Sequence, residues 1–307
     1  MDGERLMDWS KAKNLLIVAF ILTNIFLIYN ILGETFRQSR AQVVNNKYSG
    51  NVEQYLNDNG ISLDTSIPEE MVSLPMLVVK YKNFDSDKMA KMFLGKDYSK
   101  DTETQGSDSL KREIFEKNNK ELIIEGNKRL AYRNKNIRDE GQSYTLNEKT
   151  VIKMGGDFLK QYKLMKDDIE LDQIYYGIEE HISDKPVYKL VYNQTYKNKF
   201  LGESYIYVYI NHNGVVAAEA MLLEYEKTQQ QRKKIISATE ALMRAMNTIL
   251  QENESPIFIK EIEVGYYFSP TSYTESDWKG IDSGTASPSW RITIHNGKTY
   301  FVEAYKN

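Results

Sequence analysis

An apolar run near the start of the chain constrains the fold more than any other feature. Residues 15–32 carry no charged side chain. As an α-helix, these 18 residues would rise roughly 27 Å, close to the hydrocarbon thickness of a bilayer. A cleaved signal has a shorter apolar core with small residues close behind it, whereas this run ends in Gly33 and Glu34. The run therefore predicts a single transmembrane helix that is retained as an anchor.

Charges beside the run indicate its orientation. Basic residues are balanced across it, but Lys11 and Lys13 adjoin its start, and Glu34 is the first charged residue beyond its end. Basic residues favour the cytoplasmic side, and long domains cross the membrane largely regardless of charge. We therefore expect a single-pass protein of the cell membrane with an extracytoplasmic C-terminal domain. Its parts would be a cytoplasmic tail (residues 1–14), the transmembrane helix (residues 15–32) and a stalk (residues 33–50).

Three polar side chains interrupt the run, namely Thr23, Asn24 and Asn30. Thr23 and Asn30 are seven residues apart and so lie on nearly the same helix face. Polar groups in lipid need partners, and an interhelical hydrogen bond contributes roughly 0.6–2 kcal/mol, so this face suits pairing with another transmembrane helix. Alternatively, the threonine bonds its own backbone and Asn30 reaches the headgroups. The pattern leaves both alternatives open.

Composition and residue types exclude several classes of function. The 307 residues include 40 basic and 43 acidic side chains and no cysteine. The near-neutral charge argues against a nucleic-acid partner, and the lack of cysteine excludes disulfides, thiolate catalysis and Cys-ligated zinc. The histidines, His181, His212 and His295, lack the spacing of a metal motif. No pattern pairs a nucleophile with a base, so we predict no enzymatic activity, catalytic residue, metal or cofactor.

Residues 51–140 are predicted to form a first α+β lobe. Its periodic segments are a helix, a strand, a helix and a pair of hairpins, at residues 52–60, 76–81, 86–94 and 112–134. The hairpins turn at Asn118-Asn119 and at Gly126-Asn127. Residues 97–109 contain almost no apolar side chain and are predicted to be a loop.

Residues 141–307 repeat one plan in two units, at about 145–230 and 231–307. Each unit opens on a capping box, Thr145 to Glu148 and Ser237 to Glu240, followed by an amphipathic helix. Alternating strands come next, at residues 172–180, 187–196 and 203–210 in the first unit and 257–268 in the second. The simplest architecture is a helix laid across a curved antiparallel meander, twice.

The same three residues turn a hairpin in each unit, at His212-Asn213-Gly214 and His295-Asn296-Gly297. Asn-Gly favours a type I′ turn because both residues tolerate positive φ. Asn213, Gly214, Asn296 and Gly297 are therefore predicted to be structural turn residues. With an aromatic strand before the turn, each unit resembles the helix-plus-sheet units of PepSY-like and YycH-like exported domains.

The stretch MDWSKAKNLLIVAFILTNIFLIYNIL, residues 7–32, resembles the start of YycI proteins. The resemblance lies in an Asp-Trp-Ser-Lys-x-Lys tail that runs straight into an apolar helix containing Thr and Asn. The remainder, ending in WRITIHNGKTYFVEA, agrees with the family in plan. Residues 1–6 would then be an extension, and Met1 and Met7 both stay open as the start of the chain.

The resemblance implies a regulator of a two-component system in a Gram-positive bacterium. Family members associate with the single-span protein YycH and with the essential sensor histidine kinase WalK, also called YycG, which controls cell-wall metabolism. They act through transmembrane helices and ectodomains, no enzymatic activity is attributed to them, and the direction of regulation differs among bacteria. Two other classes stay open. These are a stand-alone sensor or protease-inhibitor-like binding module, and a cell-wall hydrolase with convergent carboxylates.

Overall fold

The computed structural model describes residues 19–20, 23–24, 50–69, 73–105, 110–136, 146–270 and 278–305. Its helices in the folded part of the chain are α1 (residues 50–58), α2 (Ser86–Leu94), α3 (Glu148–Gln161) and α4 (Ala238–Glu252). The strands are β1 (Ile61–Leu63), β2 (Ser73–Tyr81), β3 (Ser99–Gln105), β4 (Leu110–Lys117), β5 (Lys120–Glu125), β6 (Arg129–Asn134), β7 (Ile169–Gly177), β8 (Val187–Thr195), β9 (Phe200–Asn211), β10 (Gly214–Met221), β11 (Leu223–Lys234), β12 (Ile257–Phe268), β13 (Ser283–Ile294) and β14 (Thr299–Glu303). The predicted α+β class is confirmed.

The predicted membrane span lies largely outside the described residues. Ala19, Phe20, Thr23 and Asn24 are helical, and the remainder of 15–32 is not described, nor are the predicted tail and most of the stalk. Among the residues that are described, no helix combines the length and apolar character needed to cross a bilayer.

The strands form two sheets that meet at one point. The first sheet has the order β7-β8-β9-β10-β6-β5-β4-β3, and neighbouring strands in it are antiparallel. The second has the order β11-β2-β13-β12, with β14 beside β13 and β1 beside β12. The sheets join where β9 runs parallel to β12, pairing Leu201 with Tyr266 and Gly202 with Tyr267. This junction positions the candidate site.

Helices cover one face of each sheet and enclose separate cores. In the first core, α2 contacts β4 and β5, while α3 contacts β8, β9 and β10. In the second, α4 contacts β12, β13 and β14, and Val52 and Leu56 of α1 belong to the same buried cluster. Apolar residues spaced three or four apart give each helix one buried stripe, as in Val151, Gly155 and Phe158 of α3.

Strand pairing crosses the lobe boundary predicted near residue 140. Strand β2 lies between β11 and β13 in the second sheet, and β1 pairs with β12. By contrast, β3 to β6 extend the first sheet through the pairing of β6 with β10. Segments from before residue 140 therefore contribute to both sheets, an arrangement that local periodicity does not reveal.

The loop predicted at residues 97–109 is wrong for residues 99–105, and residues 106–109 lie outside the described part of the chain. Residues 99–105 form β3, which pairs with β4 from Ser99 opposite Glu116 to Gln105 opposite Leu110. Because β3 ends the strand order, its side chains need no apolar character, and backbone hydrogen bonds to β4 define it. The hairpins predicted between 112 and 134 are confirmed, with Asn118 and Asn119 at positive φ.

Of the two predicted capping boxes, one coincides with the start of a helix. Ser237 caps α4, since its hydroxyl accepts a hydrogen bond from the backbone N–H of Glu240 at 3.1 Å. The box predicted to begin at Thr145, which lies outside the described residues, does not cap α3. Asn147 caps this helix, and its side-chain oxygen accepts from the N–H of Lys149 at 2.9 Å. Asparagine is at least as good an N-cap as threonine and lies nearer the apolar stripe.

The two hairpin turns differ from the predicted geometry. In the first, Asn211 pairs with Gly214, so the loop is His212-Asn213. In the second, the N–H of Gly297 donates to the carbonyl of Ile294 at 2.9 Å, and Gly297 has a φ of 87° at the end of a three-residue loop. Positive φ falls on the glycines and on neither asparagine, so the type I′ prediction is wrong for both turns. A three-residue loop places its left-handed residue last, where glycine carries no steric cost.

Candidate functional site

The first sheet has one covered and one open face, and tyrosines dominate the centre of the open face. In β9, Ile206, Val208 and Ile210 belong to the core beneath α3. Successive strand residues point to opposite faces, so Tyr205 and Tyr207 lie on the open face. The YIYVYI pattern that predicted a half-buried strand thus also places an aromatic row away from the helix.

A row of alternating charges crosses the open face beside the tyrosines, and we call it the charge row. Consecutive members lie 2.8 to 3.9 Å apart, in the order Glu103, Arg112, Glu125, Arg129, Glu219, His181, Glu179 and Lys189. The histidine contributes charge only when protonated. Partly exposed pairs of this kind add little stability each. They keep an uncovered sheet face polar, which suits a hydrated contact with another protein.

The open face ends in a cleft where the second sheet begins, and we call it the junction cleft. Its floor is the first half of β9, from Phe200 to Tyr207. One wall comes from β7 and β8, through Gln173 and Asn193, and the other from the second sheet, through Arg291 and Phe301. Its volume is about 340 Å³. The cleft lies at an interface between two packed units, where ligand sites commonly occur.

Two stacked aromatic pairs line the cleft. Tyr205 and Tyr207 stack on the floor, with ring centroids 4.5 Å apart and planes inclined by 18°. Tyr267 and Phe301 stack on the far wall, at 4.2 Å and 14°. Gly202 makes room for this wall, because a Cβ there would come within 2.6 Å of the Tyr267 ring. A glycine in the strand therefore lets the two sheets approach closely.

Arg291 ties the two sheets together from within the cleft. Its largely buried guanidinium pairs with Glu263 on the neighbouring strand and, at 3.4 Å, with Asp172 of β7. It also stands 5.0 Å from the centroid of the Phe200 ring. Burial raises the pKa of Glu263 above its ordinary value, and the charge of Arg291 opposes that rise. The cation thus holds carboxylates from both sheets, and Glu261 is a third carboxylate beside it, at 3.7 Å.

Glu203 has an unusual backbone for a strand residue. Its φ is 70°, in the left-handed region that costs a non-glycine residue roughly 1–3 kcal/mol. The side chain lines the cleft, where the hydroxyl of Tyr267 donates to it at 3.5 Å. Burial raises the pKa of Tyr267 to about 12, so that hydroxyl keeps its proton at neutral pH. Such strain concentrates at functional sites.

The predicted transmembrane contact residues are only partly described. The hydroxyl of Thr23 donates to the carbonyl of Ala19 at 2.8 Å, and the amide of Asn24 donates to the carbonyl of Phe20 at the same distance. Both side chains thus bond their own helix backbone, and for Thr23 this is the alternative raised from the sequence. Asn30 lies outside the described residues. The contact with a second helix stays a prediction.

One predicted turn residue borders the junction cleft. A Cβ on Gly297 would come within 2.7 Å of the Tyr175 hydroxyl, so this glycine lets the last turn pack on β7. Asn296 donates to the side chain of Asn253 at 3.2 Å. Asn213 and Gly214 lie at the turn between β9 and β10, which does not line the cleft.

The histidines do not converge. His181 belongs to the charge row, His212 lies in the first turn, and His295 pairs with Asp64 at 2.6 Å. Across the described ranges, no group of three or more His, Cys, Asp or Glu side chains is arranged to hold a metal ion.

Sequence reasoning did not identify the cleft. Its residues come from β7, β8, β9, β12, β13 and β14, which are separated by up to about half the chain. The tyrosine alternation in β9 is the one local signal that could have drawn notice to it.

Comparison with known proteins decides the family. Residues 39–305 match the family described as YycI protein. The chain belongs to the YycI family. This match begins beyond the N-terminal stretch that carries the resemblance, so the YycI assignment now rests on the folded part of the chain. No curated protein matches the chain in sequence.

Solved structures add information on the fold alone. An uncharacterised protein from Eubacterium rectale shares the fold at a TM-score of 0.53 and 10% identity, covering 81% of this YycI-family chain and 90% of its own. YycH from Bacillus subtilis has a TM-score of 0.45 and 11% identity, covering 77% of this chain and 53% of its own. The C-terminal domain of Bacillus megaterium YpeB has a TM-score of 0.38 and 9% identity, covering 73% and 94%. The last two likenesses are too distant to support an argument.

Proposed function

We propose that this protein is a membrane-anchored, non-enzymatic regulator of a two-component system. It binds a YycH-like single-span protein and the sensor histidine kinase WalK (YycG), and so modulates control of cell-wall metabolism. The family match over residues 39–305 carries the proposal. The N-terminus lies in the cytoplasm, residues 15–32 cross the cell membrane once, and the folded domain lies outside the cytoplasm. The sequence supports this topology through the charge-free run and its flanking lysines.

The membrane part of the mechanism uses the helix face with Thr23 and Asn30. A sensor kinase exchanges between helix arrangements that differ by a few kcal/mol, and a partner that prefers one arrangement shifts the equilibrium by its differential affinity. One or two interhelical hydrogen bonds of roughly 0.6–2 kcal/mol each are large enough to matter. The bond from Asn24 to its own backbone does not exclude such a contact, because a carboxamide has a second N–H and an acceptor oxygen.

The extracytoplasmic part of the mechanism uses the C-terminal units, near the end of β7. Tyr176 and Ile178 are 47% and 60% exposed, which is unusual for large apolar side chains. They directly precede Glu179 and His181 of the charge row along the chain. An apolar centre with a charged rim is the usual anatomy of a non-obligate protein interface. This patch is our candidate contact for the YycH-like partner.

The membrane contact is tested by replacing Thr23, Asn24 and Asn30 together with Leu in the full chain. We expect normal membrane insertion and weaker co-purification with the kinase or the YycH-like protein. A matched control replaces Ile17, Ile21 and Ile28 with Leu and should change nothing. Unchanged association and unchanged target-gene expression in the first variant would reject this contact.

A span swap separates the regulator from a stand-alone binding module. If an unrelated apolar helix replaces residues 15–32, a regulator that works through this helix loses function. A stand-alone sensor or protease-inhibitor-like module keeps it.

The ectodomain contact is tested by the double substitution Tyr176→Ala and Ile178→Ser. We expect reduced recovery of the YycH-like partner with normal amounts of folded protein. Tyr225→Ala removes an aromatic side chain of similar exposure, 44%, from β11 on the second sheet and serves as the control. Equal recovery with both variants would show that the patch is not the contact.

A further inference from the structure

The junction cleft carries an inference that does not rest on the proposed regulatory function. We propose that this cleft binds a neutral saccharide, with a sugar ring against its exposed aromatic side chain and hydroxyl groups on its carboxylate and amide side chains. Its volume of about 340 Å³ lies within the range of small-molecule sites, about 300–1,000 Å³.

The charges of the cleft favour an uncharged ligand. Arg291 is already paired with Glu263 and Asp172, so an anionic ligand would have to displace carboxylates from it. Lys189 is paired with Glu179 at 3.3 Å and stands 4.8 Å from the centroid of the Tyr207 ring. A cationic ligand would have to displace this lysine from the ring face. A polar but uncharged ligand leaves every pair intact.

Each aromatic pair closes its inner ring faces by stacking, and Lys189 stands over Tyr207, so the exposed ring of Phe301 is the aromatic surface offered to a ligand. Tyr205 and Tyr207 lie on the floor, and Tyr267 and Phe301 lie on the opposite wall. Phe301 is 36% exposed although it is a large apolar side chain. One face of a pyranose ring presents C–H bonds with partial positive charge, which pack on the negative face of an aromatic ring. A sugar ring is therefore well matched to Phe301.

The polar groups of the cleft suit hydroxyl groups. A hydroxyl both donates and accepts, and the cleft offers the carboxylate of Glu203, the carboxamides of Gln173 and Asn193, and the hydroxyl of Thr299. Asn193 is fixed by donating to Asp172 at 2.7 Å. Glu203 lies where the register of β8 and β9 shifts, and its left-handed backbone belongs to this irregularity, a feature that is frequent beside binding sites.

The test measures binding of maltotriose and of N,N′,N″-triacetylchitotriose to the full chain in a detergent without a sugar headgroup. In saturation-transfer NMR, we expect signal at ring C–H protons of at least one trisaccharide. Phe301→Ala should weaken binding about tenfold, since it removes the exposed stacking surface. Glu203→Gln should also weaken it, because a carboxamide accepts hydrogen bonds less strongly than a carboxylate. Tyr225→Ala, outside the cleft, should bind like the parent protein.

Three results would overturn the proposal. One is no saturation transfer from either trisaccharide at millimolar concentration. Another is an equal loss of binding in Tyr225→Ala and Phe301→Ala. The third is that a neutral strand-forming peptide binds in the same measurement and neither saccharide does. That result would assign the cleft to a peptide. If circular dichroism shows that Phe301→Ala is unfolded, Glu203→Gln decides the outcome.

Discussion

At Glu203, the strained backbone predicts that glycine is a more stable replacement than alanine, the reverse of the usual order in a strand. Its φ of 70° costs a residue with a Cβ about 1–2 kcal/mol, and glycine has no such cost. Glycine instead loses about 0.5–1 kcal/mol of chain entropy relative to alanine. Both substitutions remove the same hydrogen bond from Tyr267, which is weak at 3.5 Å. The Glu203→Gly protein should therefore be more stable than Glu203→Ala by up to about 1.5 kcal/mol.

The matched comparison uses Glu170, an exposed residue of β7 that does not have a positive φ. There alanine should be the more stable replacement by about 0.5–1 kcal/mol, since only the entropy difference remains. Urea denaturation of the four full-length variants, followed by circular dichroism, measures these free energies of unfolding. If alanine is more stable than glycine at both positions, Glu203 is not strained and the reasoning is refuted. In either case, Glu203→Gly should also bind the trisaccharide less well than the parent protein.

Two further predictions concern the cores. Burial raises the pKa of Glu113, but hydrogen bonds from Lys111, Ser86 and Lys100 outweigh it and lower the pKa from 4.5 to about 2. Because the folded pKa is the lower one, the stabilisation is complete above about pH 4.5 and is lost as pH falls towards 2. Glu113→Gln should thus lower the free energy of unfolding by about 1–2 kcal/mol at pH 7, a figure reduced to allow for the exposed lysines. In urea titrations, the variant should lose less stability than the parent between pH 4.5 and 2. An unchanged pH profile would contradict this prediction. Trp290→Phe removes the buried hydrogen bond from the indole N–H to a backbone carbonyl at 3.0 Å and leaves a small cavity. It should lower the free energy of unfolding by about 2–3 kcal/mol, visible as a lower thermal midpoint; a midpoint equal to that of the parent would show that the site repacks.

Local patterns predicted elements well wherever one chemical requirement dominated. The apolar stripe of α2 and the alternation of β12 gave bounds that agree with the structure, because burial of one face demands that spacing. The pattern failed at β3, whose side chains are polar and whose strand conformation comes from pairing with β4. It also failed at the first capping box, because Thr145 and Asn147 lie two positions apart and either residue type can cap a helix.

Some candidate site residues can be recognised from the sequence, and others only from the structure. Thr23, Asn24 and Asn30 stand out in the sequence because polar groups are costly in an apolar run. Arg291 and Glu203 do not stand out, because a charged residue in a strand usually faces solvent. Arg291 gains its role from Asp172, 119 residues away along the chain, and Glu203 gains its role from a φ that its residue type disfavours.

The sequence by itself determined the α+β class, the positions of most helices and strands and, through a family match over residues 39–305, membership of the YycI family, and it predicts an apolar membrane anchor. These properties follow from composition and short-range periodicity, which local residues set. Only the tertiary structure decided that β2 belongs to the second sheet, that β9 meets β12, and that tyrosines, Arg291 and Glu203 line one cleft. Long-range pairing depends on how complete faces fit together, and no short stretch of chain encodes that fit.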